Sequence, residues 1–392
     1  MAGTQIFVAG VGMTRFGKFP DVKPRELVRA AVSEALADAG IAPERIEAVC
    51  FANVFAGSLQ GQESVRGQVW LDGTPLAGVP VFNVENACAS GSSALSLART
   101  AIAAGEAENV LVVGVEKLTH EDKRRSLAVM AGAMDQERLP ELRRSLGLTD
   151  ASASPFMQVY ANYARSYMDR SGATAEDFAL VAAKSHANGA LNDRAQFRKR
   201  LTPEEILAAR QVAGPLTVPM CAPIGDGAAA AVLTASPPAP ARAVKLLASV
   251  VGAGVRGEDD DLVRRTAERA FDKAGVAPED VDVAEVHDAA APAEMIVIEE
   301  LGLVPDGKAV AMVRAGETAI GGRLPVNPSG GLISKGHPLG ATGVAQVFEL
   351  VTQLRGEAGS RQVPRARVAV AENAGGYLGP QPAAAAVSVL TV

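Results

Sequence analysis

Short apolar runs of strand length alternate along this chain with longer Ala- and Leu-rich stretches of helical length. The alternation is organised as a duplication. Glu34 to Val49 reads as the end of a helix, a stop at Gly40, a turn carrying Pro43 and then a strand. Arg269 to Ala284 reads the same way, with its stop at Gly275 and its turn at Pro278. Further on, Cys88-Ala-Ser-Gly-Ser-Ser-Ala94 lines up with His337-Pro-Leu-Gly-Ala-Thr-Gly343. Both follow a turn and open a small-residue helix, and the apolar strands Val110 to Gly114 and Val368 to Ala371 come after them. Matches recurring in one order predict two βαβ-type halves, residues 1–236 and 240–392, each a mostly parallel sheet with helices on its faces. The Pro-rich segment Ser236 to Arg242 is the expected junction. From Leu118 to about Ile206, charge clusters alternate with helices rich in Met, Tyr and Ala. This insertion has no counterpart in the second half. It reads either as a solvated helical excursion or as a helical cap over a site.

Composition narrows the class. The 392 residues are 48% hydrophobic, enough for a large core, and only 4% aromatic, which suits close-packed α/β layers. A net charge of −6 leaves no footprint for nucleic acid. The three cysteines, Cys50, Cys88 and Cys221, lie far apart, which points to reduced thiols in a cytoplasmic protein rather than to disulfides or a metal site. The amino terminus reads as the start of a strand without a basic leader, and no stretch is long and apolar enough to span a membrane.

The chemistry concentrates at turns. Cys88 stands between an apolar run, Val79 to Phe82, and the start of a helix. Unpaired N–H groups and the helix dipole there favour a thiolate, so a lowered pKa and a nucleophilic role are expected. The plainer reading is a buried structural cysteine. Of the four histidines, His287 follows an apolar strand and His337 lies in a glycine-rich loop before a helix. Such strand ends are where open α/β sheets hold their sites. His120 and His186 fall in the insertion and read as structural. Because His337 matches Cys88 in the repeat, a pseudo-twofold would bring thiol and imidazole together.

With these residues in view the chain resembles the thiolase superfamily: Asn86-Ala-Cys-Ala-Ser-Gly-Ser, the box Gly336-His-Pro-Leu-Gly-Ala-Thr-Gly343 and the duplicated halves carry the likeness. His287-Asp288 is similar to the His-Asp-Cys-Phe motif of the sterol-carrier-protein type. The resemblance implies a five-layered α-β-α-β-α fold, a homodimer and acyl-CoA thioester substrates, with no bound cofactor and no metal. It assigns the acyl-carrying nucleophile to Cys88, its activation to His337, and the hold on the second substrate's thioester oxygen to His287. It gives an oxyanion hole to the N–H groups of Cys88 and Gly375, and substrate binding to Asn327, Ser329, Gly330, Gly331 and Gly340. Two departures stand out. Ala289-Ala290 replaces Cys-Phe, which implies a wider pocket beside His287. The family's second cysteine, which moves a proton at the α-carbon, is missing from Glu372-Asn373-Ala-Gly-Gly376. Glu372 and Tyr377 are the titratable candidates to replace it; Asn373 cannot titrate.

The expected function is a thiolase-like acyltransferase with a covalent acyl-Cys88 intermediate, used for thiolysis, Claisen or decarboxylative condensation, or transfer to another acceptor. The alternatives are a lipid-transfer-type aldol lyase working with a zinc-ribbon OB-fold partner protein, and a non-catalytic acyl-CoA or lipid binder.

Overall fold

The computed structural model describes residues 4–150, 153–256, 261–379 and 381–392. Among the described residues nine strands form one sheet: β1 (Phe7–Met13), β2 (Ala48–Ala52), β3 (Val81–Val84), β4 (Asn109–Lys117), β5 (Asp226–Thr234), β6 (Val244–Ala253), β7 (Val283–Glu285), β8 (Val368–Leu378) and β9 (Gln381–Thr391). Their order is β3-β2-β4-β5-β1-β6-β9-β8-β7. The two halves meet where Phe7 and Val8 of β1 pair with Lys245 and Val244 of β6.

Successive side chains of a strand point to opposite faces, and inside the edge strand β3 both faces of the sheet are largely buried. Val110 and Val112 of β4 pack on one side, with residues of α2 (Ser90–Ala103) and α7 (Leu339–Leu354). Leu111 and Val113 pack on the other, with α1 (Pro24–Ala39). In the second half, Ala369 and Ala371 face the α2/α7 layer. Val370 and Val387 face α5 (Leu262–Ala274) and α6 (Ala291–Glu300). The result is the five-layered α-β-α-β-α arrangement, with α2 and α7 as the shared central layer. Burial on both faces is why these strands read as continuous apolar runs rather than alternating ones.

The expectation of mostly parallel sheets is corrected. β2 pairs in parallel with β3 and β4, and β7 with β8. The ladders β4–β5, β5–β1, β1–β6, β6–β9 and β9–β8 are antiparallel. Four of these five ladders involve β5 or β9, whose alanine runs carry weak strand propensity and are not legible as strands. β9 follows β8 through a tight turn, which forces it to run antiparallel.

The duplicated turns form as the pattern predicts. Gly40 and Gly275 close α1 and α5 in the left-handed region, at φ 61 and 65, and each is followed by a short 3-10 turn starting at Pro43 and Pro278. Small residues fix the central layer. A Cβ on Gly343 would lie 2.1 Å from Ser92 Oγ, and one on Gly91 would lie 2.9 Å from the Gly340 carbonyl. The glycines and serines therefore let the starts of α2 and α7 touch, which is what brings the two matching turns together.

Between β4 and β5 the chain is largely helical, including α3 (Pro155–Ser171) and α4 (Ala175–Leu191). Among the described residues no helix is long and apolar enough to cross a membrane.

Candidate active site

Cys88 sits on a braced turn between β3 and α2. Ala87 before it is held at φ 48, a left-handed conformation that a non-glycine residue adopts at a cost. The brace is local: Ala87 N–H donates to Glu85 Oε1 at 2.6 Å, and Ser90 Oγ donates to the Ala87 carbonyl at 2.6 Å. Asn86 Nδ2 donates to Ser93 Oγ at 2.8 Å. The turn turns the thiol toward α7.

His337 meets it there. Its Nε2 lies 3.3 Å from Cys88 Sγ, the juxtaposition that the repeat predicts. Its Nδ1 lies 2.7 Å from Thr342 Oγ1, whose own hydroxyl donates to the Pro338 carbonyl at 3.1 Å. Thr342 therefore accepts from Nδ1–H, and Nε2 presents its lone pair to the thiol. The His287 ring stands edge-on to that of His337, with centroids 5.2 Å apart. The ligand atoms of Cys88, His287 and His337 lie within 4.8 Å of one another, a sulfur-and-imidazole set suited to a soft divalent metal ion.

All three groups rest uncharged. Burial pushes the Cys88 thiol up to about 12, and the Glu116 carboxylate adds to this. The backbone N–H groups of Cys88 and Gly376 act in the opposite sense. Burial lowers His287 to about 4, and it holds His337 well below the usual range with help from His287 and Lys335. The lowered thiol pKa expected from the helix N-terminus is thus corrected, because desolvation outweighs the dipole. The oxyanion expectation shifts by one residue: the second amide at the sulfur belongs to Gly376, at φ 62, and not to Gly375. Gly375 has a packing role, since a Cβ there would lie 2.2 Å from the Asn86 carbonyl.

Glu372 is fully buried on β8, and its Oε2 accepts the backbone N–H of His287 at 3.0 Å. Strand alternation places it with Val370, on the face away from the α2/α7 layer. Burial raises its carboxyl to about 8. The structure therefore makes Glu372 a brace for His287 and does not bring it to the thiol.

Tyr377 escapes the alternation because Gly376 is left-handed, and it joins a cluster with Phe156, Tyr160 and Tyr163 of α3. Its ring centroid is 5.2 Å from Phe156 and 6.2 Å from Tyr160. The Tyr160 and Tyr377 hydroxyls bond to each other, and both lie close enough to Cys88 for a thiolate formed there to act on them.

The loop expected to bind substrate is built into the wall. Asn327 Oδ1 accepts Val286 N–H at 2.8 Å, and Ser329 Oγ donates to Glu285 Oε2 at 2.7 Å. A Cβ on Gly331 would lie 2.2 Å from Asp288 Oδ2, and one on Gly330 would lie 2.8 Å from the Gly189 backbone. Gly340 N–H donates to Glu116 Oε2 at 3.1 Å. Each of these residues is thus packed against or bonded to protein, and Asn327 bonds the residue next to His287. The Cys221–Ala222 backbone runs beside Ala289-Ala290, with Ala222 N–H donating to the Ala289 carbonyl at 3.0 Å.

The places of four further residues emerge in three dimensions. Thr342 sets the His337 tautomer. Glu116 gathers N–H groups from Val54, Phe55 and Gly340, tying β4 to the start of α7; its charge inside an otherwise apolar strand is the one sequence signal for it. Tyr160 comes from the insertion. Asn373 lies on the β8 face of Ala371 and Gly375, fully buried, with neither Nδ2 nor Oδ1 bonded among the described residues. His120 and His186 have local partners, at Asp122 N–H and the Pro219 carbonyl.

The thiolase N-terminal domain model matches residues 6–212, and the thiolase C-terminal domain-like model matches residues 260–390. Sterol carrier protein 2 of Gallus gallus is 39% identical over 388 residues, covering 95% of this chain and 70% of that protein. Acetyl-CoA acetyltransferase of Methanothermobacter thermautotrophicus is 38% identical over 381 residues, covering 95% of this chain and 96% of that one. Among solved structures, the Ltp2-ChsH2(DUF35) aldolase superposes with a TM-score of 0.81 at 23% identity, over 100% of this chain and 99% of that one. At that identity it speaks to the fold alone.

Proposed function

This chain belongs to the thiolase family and is an acyltransferase of acyl-CoA thioesters, and we propose that it works through an acyl group carried on Cys88. The observation that carries the reading is the lone pair of His337 Nε2 facing the Cys88 thiol at 3.3 Å. As Sγ attacks the thioester carbonyl, its proton passes to Nε2. The charge that develops on the carbonyl oxygen meets the N–H groups of Cys88 and Gly376. His337 then returns the proton to the departing CoA sulfur. A neutral thiol beside a neutral imidazole suits this order, since the thiolate forms only as the substrate is attacked. His287 holds the oxygen of the second thioester, with Glu372 fixing its backbone. The residues at 1–236 and 240–392 act as two halves closing on the central helices.

The test is release of CoA from an acyl-CoA donor by Cys88→Ala, Cys50→Ala and Cys221→Ala. Loss in the first alone supports the reading; equal rates in all three overturn it.

Further expectations belong to the same reading. A homodimer is supported by β3, an edge strand that exposes Phe82 at 51% and can pair with a second copy. A cytoplasmic setting is supported by three free cysteines. The lyase alternative, with an OB-fold partner, has one support: a fold neighbour named as an aldolase that includes ChsH2(DUF35). It predicts activity that depends on a partner and survives Cys88→Ala.

A further inference from the structure

The two histidines stand on different segments of the chain. His287 follows the end of β7, and His337 lies in the loop before α7. Each has a bond of its own: Glu372 accepts the His287 N–H at 3.0 Å, and Thr342 Oγ1 lies 2.7 Å from His337 Nδ1. Neither bond sets the separation of the two rings, whose centroids lie 5.2 Å apart.

Other side chains join the segments. Asn327 Oδ1 accepts the Val286 N–H, and Asp288 Oδ1 accepts the Leu332 N–H at 2.6 Å. A third link lies nearer to both histidines. Glu285 stands two residues before His287, and Lys335 stands two residues before His337. Lys335 Nζ donates to Glu285 Oε2 at 3.2 Å. Ser329 completes the grip, its Oγ donating to Glu285 Oε2 at 2.7 Å and its N–H to Oε1 at 3.1 Å. Gly336, between Lys335 and His337, is at φ 112, a conformation open to glycine.

The Lys335 and Glu285 side chains are 1% and 0% exposed. The neighbouring buried carboxylates have cations of their own, Glu294 with Lys184 and Glu349 with Arg361. Taking an ion pair out of water is costly, and apolar side chains of similar volume in its place are often neutral or stabilising. Stability alone is therefore a weak reason for this pair, and its position at the same offset from both histidines supplies a better one.

We propose that Glu285 and Lys335 are positioning residues, a clamp that fixes the separation of His287 and His337 for the step that uses both. The inference rests on the acyl-Cys88 reading and deepens it. Passage of the acyl group between CoA and Cys88 uses His337, whose bonds to Thr342 and the thiol lie outside the clamp. Making or breaking the bond to a second thioester also needs His287 at its set distance. Loss of the clamp should separate these steps, since a misplacement of about 1 Å can cost roughly 100-fold in rate.

The experiment compares Glu285→Gln/Lys335→Met with Glu349→Gln/Arg361→Met, which removes a largely buried pair bonded to neither histidine segment. Two rates are read. Exchange of labelled CoA into acetyl-CoA reports the Cys88 half-reaction, and thiolysis of acetoacetyl-CoA reports the whole. The clamp variant is expected to keep exchange and the KM for the thioester while thiolysis falls roughly 100-fold. The control pair is expected to keep both rates. Glu285→Gln alone is the milder variant. Its single amide oxygen cannot accept from Lys335 and from both donors of Ser329 as the carboxylate does, so thiolysis should fall with exchange kept. Equal losses in clamp and control, parallel loss of exchange and thiolysis in the clamp variants, unchanged thiolysis in Glu285→Gln, or exchange without thiolysis in the wild type overturns the proposal and leaves the acyl-Cys88 reading standing. A wild type that exchanges CoA with no acyl-CoA donor overturns both.

Discussion

Glu372 Oε2 accepts the His287 backbone N–H at 3.0 Å, and this bond decides what the carboxyl can do. A group bonded in that way orients the imidazole and faces away from the reacting atoms. Loss of a general base costs roughly 100- to 10,000-fold. Glu372→Gln keeps an acceptor oxygen for the N–H and should leave turnover far above that range, whereas Glu372→Ala frees His287 and should impair the step after acylation. Stopped-flow acylation and steady-state turnover, compared across the two variants, check this.

The same burial has a signature in stability. Glu372 is raised to about 8 and Glu116 to about 7, while an unfolded Glu titrates near about 4.3. Between those values the folded chain binds more protons than the unfolded one, so stability falls as pH rises through this window. Thermal melts from pH 5 to 8 should show the decline, and Glu372→Gln should flatten part of it.

Cys88 should react as a buried neutral thiol. With its pKa near 12, alkylation at neutral pH should be slow and should keep rising with pH. A plateau near pH 6 to 7 would reveal a resting thiolate–imidazolium pair instead. Iodoacetamide rates against pH, read on the Cys88 peptide, separate the two.

Thr342 should matter through His337. Thr342→Val removes the acceptor of Nδ1–H and leaves a buried donor unpaired, worth about 1–3 kcal/mol, or roughly 5- to 150-fold in acylation rate. Thr342→Ser keeps the hydroxyl and should behave like the wild type. A loss in Thr342→Ser with none in Thr342→Val would mean that the methyl group, and not the hydrogen bond, is what counts.

A divalent soft metal should compete with substrate for Cys88, His287 and His337. Micromolar zinc is expected to inhibit, a chelator to reverse the effect, and acylation of Cys88 to protect. Cobalt in place of zinc should give a sulfur-to-metal charge-transfer band that disappears in Cys88→Ala.

The meeting of Cys88 with His337 is legible in the sequence because a duplication maps one turn onto the other, and the small residues of both helices allow the approach. The strand directions are not legible, because β5 and β9 are alanine runs whose strand character comes from burial between layers. The thiol's pKa is misread for a related reason: a helix N-terminus is visible locally, but the apolar cluster around it is assembled from Phe55, Leu118 and Leu339, far apart in the chain. The amide of Gly376 replaces that of Gly375 because a left-handed φ turns it, which no residue pattern reports. Tyr160 is silent until α3 is placed against the thiol.

The central claim is the acyl group on Cys88, and rapid-quench mass spectrometry of the Cys88 peptide after mixing with an acyl-CoA donor tests it most directly. The account predicts an adduct of the acyl mass that forms before turnover, disappears on adding CoA, and is absent in Cys88→Ala and much reduced in His337→Ala. Turnover with no adduct at any time, or an adduct that CoA never removes, would contradict it.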